Sequence, residues 1–227
     1  MARQESQRDR PPTRRYRSAK RQADARATRE RIRIAARSLF LRDGYAQTSM
    51  KTIAKHAEVA EKTVYLAFPT KAQLLSEVIR VAVRGDDEET PITAREDWHA
   101  ILDAPADEVL ERLARHETKA LERTARLLAM ADIAAAGDSR LIPLRDRGHA
   151  AQRSLYVEAA ASLAARGMLD SGLPPADAAD TIYALTHEAL YLRLTDECRW
   201  SPSRYAHWLS ATLTATLTKS PLEPHAC

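Results

Sequence analysis

The sequence is poor in the residues that fill sheet cores and tight turns. Only 5% of its 227 residues are aromatic, two of them phenylalanine, and it contains 6 glycines. With 44% hydrophobic residues the chain can still bury a core, which must be built mainly from Ala, Leu and Ile. Because Ala and Leu are strong helix formers whereas strands favour β-branched and aromatic residues, the composition predicts an all-α protein.

Cysteines and long apolar runs are also scarce. Cys198 and Cys227 are the two cysteines, and they have neither metal-site spacing nor a nearby histidine partner pattern, so we expect free thiols in a reducing compartment. No apolar run reaches the roughly 18 to 20 residues of a membrane span, and no apolar signal-peptide core follows the basic N-terminus. We therefore expect a cytoplasmic protein with no membrane segment, no metal and no cofactor.

Positive charge is concentrated in the first part of the chain. Residues 1–84 hold 20 Lys and Arg against 8 Asp and Glu, whereas residues 85–227 hold 15 against 23. A basic region attached to an acidic one indicates that the first part meets a polyanion. The first part is therefore the candidate for nucleic-acid binding.

Residues 1–22 contain eight Lys or Arg and almost no large apolar side chains. Such a composition predicts a disordered basic arm. Two interpretations remain open: a solvated tail that aids solubility, or an arm whose Arg14, Arg15 and Arg17 contact phosphates or a minor groove.

Helical patterns begin at about residue 24. Apolar residues at 32, 35, 36, 39 and 40 line one face of a first helix, which we expect to end at Gly44. Thr48 is the expected N-cap of a short second helix, and a third helix is predicted over residues 61–67, with no side-chain cap at Ala60. A capping box at Thr70 to Gln73 starts a fourth helix. Two short helices joined by a tight turn and braced on both sides predict a helix-turn-helix.

These residues resemble the TetR family of transcriptional regulators over about residues 24–80. The residues that carry the resemblance are Leu39-Phe40, Gly44-Tyr45, Thr48-Ser49, Ile53-Ala54, Ala57, Val59, Thr63-Val64-Tyr65, Phe68, Lys71 and Leu74-Leu75. Residues 200–209, with Trp200-Ser201-Pro202, Tyr205 and Trp208-Leu209, look like the C-terminal end of many such regulators.

The resemblance implies binding to double-stranded DNA at a palindromic operator, with roles for individual residues that physical chemistry permits. Thr48, its neighbour Ser49 and Lys71 lie at helix N-termini, which favour phosphate, and Tyr65 offers a hydroxyl. Lys62 and Thr63 would contact base edges. The alternatives are a half-buried core role for Tyr65, a cap only for Thr48 and a solvated lysine for Lys71.

Helical patterns resume after an acidic loop at residues 85–90. Helices are predicted over residues 93–102, 107–135, 139–165, 175–196 and 202–218, with Pro143 marking a kink or a first turn. The whole is predicted as a three-helix DNA-binding domain at 23–70 and a larger helical effector-binding and dimerisation domain at 71–220. The connecting helix is placed at 71–84 and a tail at 221–227.

The last two helices are apolar on more than one face, which indicates contact with a partner. The resemblance implies a homodimer built from them and a small-molecule effector pocket between the remaining helices. The interface candidates are Leu185, Leu192, Trp208, Leu209 and Leu213. The pocket candidates, each of which could instead be a core aromatic or an exposed histidine, are Trp98, His116, His149, Tyr156, Tyr183 and His187.

The function expected from the sequence is a DNA-binding transcriptional repressor released by a small molecule. A regulator without a small ligand is one alternative, and a helical enzyme or interaction module is another. Phosphate-binding loops, nucleophile elbows and His-Glu-x-x-His motifs are missing, so no catalytic residue is assigned.

Overall fold

The computed structural model describes residues 14–88 and 90–218, with side chains from residue 20 onward, and this part of the chain contains helices and no strand. The helices are α1 (Arg14–Gln47), α2 (Met50–His56), α3 (Glu61–Ala67), α4 (Lys71–Arg84), α5 (Glu96–Leu102), α6 (Val109–Gly137), α7 (Ile142–Ala165), α8 (Pro175–Leu185), α9 (Glu188–Leu192) and α10 (Pro202–Leu217). Short 3₁₀ turns lie at Ile92–Ala94 and Ser139–Leu141, and a π turn at Arg193–Glu197. The predicted all-α fold is confirmed.

One apolar core joins α1, α2, α3 and α4. The side chains with no exposed area in this core are Ile32, Ala36, Leu39, Phe40, Ile53, Val64, Leu74 and Leu75. Their spacing within α1 and α4 is that of one helix face, so the apolar pattern alone brings these elements together. The predicted bounds of α3 are confirmed, as is the cap of α4, where the Thr70 hydroxyl accepts a hydrogen bond from the Gln73 backbone.

The first helix bends at Gly44. This residue has φ 79° and ψ 164°, and a Cβ built on it would meet no atom within 4 Å. Glycine is therefore required here by the backbone angle and not by lack of space. The break turns the last residues of α1 towards α2, as the sequence predicts.

The first helix also begins earlier than expected. The backbone of α1 is helical from Arg14, so residues 14–22, which were placed in a disordered arm, are helical instead. Residues 18–23 include Ala, Lys, Arg and Gln, which are strong helix formers and extend a helix without needing buried contacts. Residues 1–13 lie outside the described residues.

The larger part of the chain is arranged around α6. This 29-residue helix packs against α1 and α4 on the N-terminal side and against α5, α7, α9 and α10 on the other. Trp98, Tyr156 and Tyr205 are its largest fully buried neighbours. Leu127 and Ala131 of α6 belong to the core of α1 to α4, so the N-terminal helices and α6 share one apolar contact surface.

Two predicted helices differ from the structure in detail. The helix expected over residues 175–196 is broken after Leu185, because the buried Thr186 donates its hydroxyl to Ile182 O at 2.8 Å and His187 takes an extended conformation. Pro143 lies in the first turn of α7, so of the two possibilities left by the sequence, a kink or a first turn, the second is correct.

Within the described ranges, no helix is long and apolar enough to span a membrane.

Candidate nucleic-acid interface and internal cavity

Helix α3 has one buried anchor and a broad exposed face. Val64 has no exposed area, whereas Tyr65 is 47% exposed and Leu66 76% exposed. Lys62 is also exposed, and Ala60 provides no side-chain cap at the start of the helix. At 47% exposure Tyr65 is about half-buried, so its alternative as a half-buried aromatic stays open beside its role as a phosphate contact. A short helix anchored at one residue and open on the rest of its surface suits a major groove.

The C-terminal end of α3 is fixed by Arg29 of α1. The Arg29 guanidinium donates a hydrogen bond of 2.6 Å to the carbonyl oxygen of Ala67 and lies 4.2 Å from the centre of the Phe68 ring. The last carbonyls of a helix have no partner inside the helix, so this bond supplies one. The contact joins residues 38 positions apart, so no local sequence pattern predicts it.

The cap of α2 is Ser49, and the prediction of Thr48 as the cap is wrong. The Ser49 hydroxyl accepts a hydrogen bond from the Thr52 backbone at 3.0 Å. Thr48 is 2% exposed and donates its hydroxyl to Gly44 O at 2.8 Å, where it stabilises the bend of α1. The exposed Ser49 therefore takes the place at the helix N-terminus that the sequence assigned to Thr48.

Lys71 braces the loop between α1 and α2. Its ammonium group donates to Tyr45 O at 2.8 Å and Thr48 O at 2.9 Å, and it lies 4.1 Å from the centre of the Tyr45 ring. Burial lowers the pKa of Lys71, consistent with an ammonium group directed inward. The expected role of Lys71 as a phosphate ligand is therefore corrected to an internal brace, and the alternative of a solvated lysine is wrong as well.

Three exposed lysines lie on the short helices α2 and α3. Lys51 and Lys55 of α2 and Lys62 of α3 are exposed, and none has a carboxylate partner among residues 20–88 and 90–218. Free ammonium groups on adjacent short helices favour a polyanion. Arg14, Arg15 and Arg17 lie in the first turns of α1, but their side chains are outside the described residues.

An internal cavity of about 590 Å³ lies between α4, α6 and α7. Its wall is mainly apolar, with Leu75, Ile79 and Val83 from α4 and Leu121 and Leu128 from α6. A cavity of this size fits a drug-sized molecule. Helix α4 therefore contributes residues both to the cavity wall and to the N-terminal core.

Three of the six predicted pocket residues line this cavity: His116, His149 and Tyr156. The other three do not. Trp98 is fully buried in the core, where its indole nitrogen donates to Glu158 at 3.2 Å. Tyr183 and His187 are also absent from the cavity lining.

Tyr183 and His187 lie behind the wall. The Tyr183 ring packs against those of Tyr156, at 6.4 Å, and His149, at 6.5 Å, without reaching the cavity. His187 is the N-cap of α9, where its Nδ1 accepts a hydrogen bond from the Ala189 backbone at 3.2 Å. Both residues were predicted from their apolar bodies and polar tips. A residue that lines a cavity and a residue that packs behind the lining can share this chemistry.

A buried polar network lies at the cavity wall and was not predicted. Glu117 is 5% exposed and accepts a hydrogen bond of 2.8 Å from the Tyr156 hydroxyl, which in turn accepts one from Thr186 at 2.9 Å. Burial raises the pKa of Glu117 to about 7. The signal was present in the sequence, since Glu117 lies four residues from both Leu113 and Leu121 and so belongs to the apolar stripe of α6.

The predicted dimer residues fall into two groups. Leu209 and Leu213 of α10 have no exposed area, so they belong to the core of their own subunit and their prediction as interface side chains is wrong. Leu185, Leu192 and Trp208 are partly exposed. The sequence pattern could not separate them, because residues facing the core of the same chain and residues facing a partner are equally apolar.

The fold and the exposed α3 define a helix-turn-helix protein. Residues 32–78 match the family model described as bacterial regulatory proteins, tetR family. This segment contains α2 and α3 and the parts of α1 and α4 that enclose them. The resemblance of this segment to the TetR family of transcriptional regulators, which its motifs predict, is confirmed for residues 32–78. No curated protein matches the chain with significant similarity.

Solved structures of similar fold extend the likeness beyond that segment. NalD, the secondary repressor of the MexAB-OprM multidrug efflux pump in Pseudomonas aeruginosa, is 24% identical with a TM-score of 0.68, covering 88% of this chain and 100% of NalD. The SmeT–triclosan complex is 20% identical, with a TM-score of 0.67 over 88% and 96% of the chains. A putative transcriptional regulator from Saccharomonospora viridis in complex with choline is 19% identical, with a TM-score of 0.65 over 85% and 98%. At these identities the likeness shows a shared fold.

Proposed function

We propose that this protein is a homodimeric transcriptional repressor that binds a palindromic DNA operator and releases it when a small molecule occupies the cavity. The observation that carries the proposal is the double role of α4, which packs under the DNA-binding helices and forms one wall of the cavity. A ligand that displaces α4 would therefore move the DNA-binding helices. Repression is proposed by analogy with NalD, which is described as a repressor.

The DNA contacts are assigned to exposed and partly exposed residues of α3 and to Ser49, the N-cap of α2. Lys62 and Thr63 would contact base edges, while Ser49 and Tyr65 would bind phosphates and fix the position of α3. Lys51 and Lys55 carry free positive charge on the same surface. Arg14, Arg15 and Arg17 remain candidates for contacts outside the main groove.

The homodimer would form through the outer faces of α8 and α10. Leu185, Leu192 and Trp208 are partly exposed apolar residues in or beside these helices. A twofold axis between the copies would present two α3 helices to half-sites about one DNA turn apart, roughly 34 Å, which requires a palindromic operator. An effector would act by holding the two α3 helices at a separation that does not match this spacing.

A chain of ion pairs offers a route from the cavity to α3. Arg80, a cavity-lining residue of α4, donates to Glu77 at 2.8 Å. The other oxygen of Glu77 lies 3.8 Å from Arg29, whose guanidinium binds Ala67 at the end of α3. A ligand that changes the position of Arg80 would thereby alter the support of α3, and bound DNA would change the affinity for the ligand by the same factor.

The experiment that tests this proposal measures assembly and release together. Sedimentation of the full chain with and without an inverted-repeat DNA should give two chains per duplex, and a cavity ligand should lower the DNA affinity without being consumed. Ala211→Arg on the exposed face of α10 should yield monomers with weak DNA binding, whereas Ala150→Arg on exposed α7 should not. A monomer that binds a single half-site with full affinity would overturn the homodimer, and ligand binding with no change in DNA affinity would overturn the release.

A further inference from the structure

The cavity wall contains a buried carboxyl group whose hydrogen-bonding capacity is mostly unused. An ionised carboxylate accepts about four hydrogen bonds. The Glu117 side chain accepts one, from the Tyr156 hydroxyl, among residues 20–88 and 90–218. Burying a carboxylate with so few partners is costly, so this group requires a functional explanation.

A second and a third carboxyl group line the same cavity. Glu188 of α9 is 4% exposed, and Asp132 of α6 lies within hydrogen-bonding reach of it. Burial, and then the negative charge of Asp132, raise the pKa of Glu188. Three carboxyl groups therefore lie on the wall of the cavity, beside four arginines and two histidines whose own contacts decide whether these acids are neutralised.

Three of the four arginines that line the cavity are held by partners that do not line it. Arg80 and Arg145 bind the carboxylates of Glu77 and Asp146, each at 2.8 or 2.9 Å, and neither of those acids lines the cavity. Arg84 donates to the carbonyl oxygen of Glu88 at 2.8 Å.

The remaining cationic groups include two histidines beside the acids, and His187 Nδ1 lies 3.5 Å from the Glu188 carboxylate. Arg147 is exposed to solvent at the cavity edge. Burial lowers the pKa of His116, so its ring is neutral at neutral pH. His149 lies 3.8 Å from Asp132 with a side chain 40% exposed, and Arg123, whose charge acts on Glu117, donates to the Ala82 carbonyl at 3.1 Å.

We propose that the effector is an amphiphilic cation, with an apolar body that fills the cavity and an ammonium or amidinium group that binds the Glu117 carboxylate. The proposal rests on the cavity being the effector site of the proposed function. Leu75, Ile79, Leu121 and Leu128 supply the apolar wall, and Glu117 supplies the counter-ion from the centre of α6. Binding would pair the buried Glu117 carboxylate, which has no ion-pair partner among residues 20–88 and 90–218, with a cation, and that gain is unavailable to a neutral or anionic molecule of the same shape.

The proposal has a consequence for pH. The pKa of Glu117 is raised to about 7 without a ligand, and a bound cation would lower it. Cation binding therefore releases a proton, and its affinity should fall as the pH falls from 8 to 6. Tyr156 does not titrate in this range, because burial raises its pKa well above the ordinary value.

The experiment compares three molecules of matched shape by calorimetry on the full chain: a naphthylethyl-trimethylammonium ion, its neutral isostere with carbon in place of nitrogen, and naphthylpropanoate. The ammonium ion should bind the natural protein at pH 8 at least about tenfold more tightly than its isostere. Glu117→Gln should remove most of that preference, while Glu122→Gln, at an exposed position of α6, should leave it unchanged. In the natural protein, the preference for the ammonium ion over its isostere should also decline towards pH 6, and this measurement needs no variant.

Three results would overturn the proposal: equal or tighter binding of the isostere or the anion, a cation preference that survives Glu117→Gln, or no binding of the ammonium ion at millimolar concentration. Fluorescence anisotropy of labelled DNA with the ligand-free protein is measured separately. If the ligand-free protein does not bind DNA specifically, the proposed function is contradicted whatever the cavity binds. A failure of the proposed function can therefore be distinguished from a failure of the cation proposal.

Discussion

The guanidinium group of Arg29 donates a hydrogen bond of 2.6 Å to the carbonyl oxygen of Ala67, the last residue of α3. The same group stacks 4.2 Å from the centre of the Phe68 ring. The long first helix thereby fixes the end of the short helix proposed to enter the major groove. Since α3 has seven residues and no side-chain cap at its start, it depends on such external support.

Arg29→Ala should weaken binding to specific DNA by roughly threefold to tenfold, because a hydrogen bond from a charged donor contributes about 1 kcal/mol or slightly more. Anisotropy titrations on the same duplex measure this. Arg31→Ala is the matched control, since it removes the same charge from an exposed position of α1. Equal losses in the two variants would show that Arg29 acts only through its charge.

Lys71→Met should destabilise the N-terminal helices by about 2 kcal/mol, because the carbonyl groups of Tyr45 and Thr48 would lose their ammonium donor in a buried environment. Urea unfolding measures the change. Lys62→Met, at an exposed position of α3, should leave stability unchanged. If Lys71→Met unfolds like the natural protein but binds DNA poorly, Lys71 is a phosphate ligand and the internal brace is wrong.

Substitutions on the exposed face of α3 should separate into two classes. Lys62→Ala and Leu66→Ala should change which sequence is preferred, since these exposed side chains would contact base edges. Tyr65→Phe should weaken binding to all sequences by a similar factor, because it removes one hydroxyl contact to phosphate. Binding to a library of operator variants measures both effects, and an unchanged preference in both Lys62→Ala and Leu66→Ala would contradict the assignment of α3.

Glu117→Gln should stabilise the ligand-free protein in a pH-dependent manner. The folded-state pKa of Glu117, about 7, lies above the value of about 4.5 for an unperturbed glutamate. The protonated carboxyl group therefore favours folding fully below about pH 4.5, and this contribution is lost as the pH rises through 7. The variant should therefore be more stable than the natural protein by up to about 3 kcal/mol at pH 8, with the difference shrinking towards pH 5. Thermal unfolding at several pH values measures this, and a pH-independent difference would show that Glu117 does not titrate near neutrality.

Local patterns predicted most of the helices, including the bounds of α3. The apolar spacing of Ile32, Leu39 and Phe40, the bend at Gly44 and the proline after Phe68 each act within a few residues, so the sequence is sufficient to interpret them. The start of α1 differs from the prediction because helix propensity alone extends the helix on the N-terminal side of its first buried residue, Ile32.

Side-chain roles that depend on distant residues were harder to predict. Lys71 looked like a surface lysine until Tyr45, 26 residues earlier, was seen to accept its hydrogen bond. Leu209 looked like an interface residue because an apolar face gives no indication of which surface covers it. Trp98 has the chemistry of a pocket residue, but its burial is decided by α6 and α7, which the sequence alone does not position.

The most direct test of the regulator is the selection of genomic DNA fragments by the purified full chain at physiological salt. The account predicts recovery of an inverted repeat whose half-sites lie about one helical turn apart, and loss of that repeat when Lys62→Ala is used instead. Recovery of fragments with no shared sequence, and binding that fades smoothly as the salt concentration rises, would contradict it.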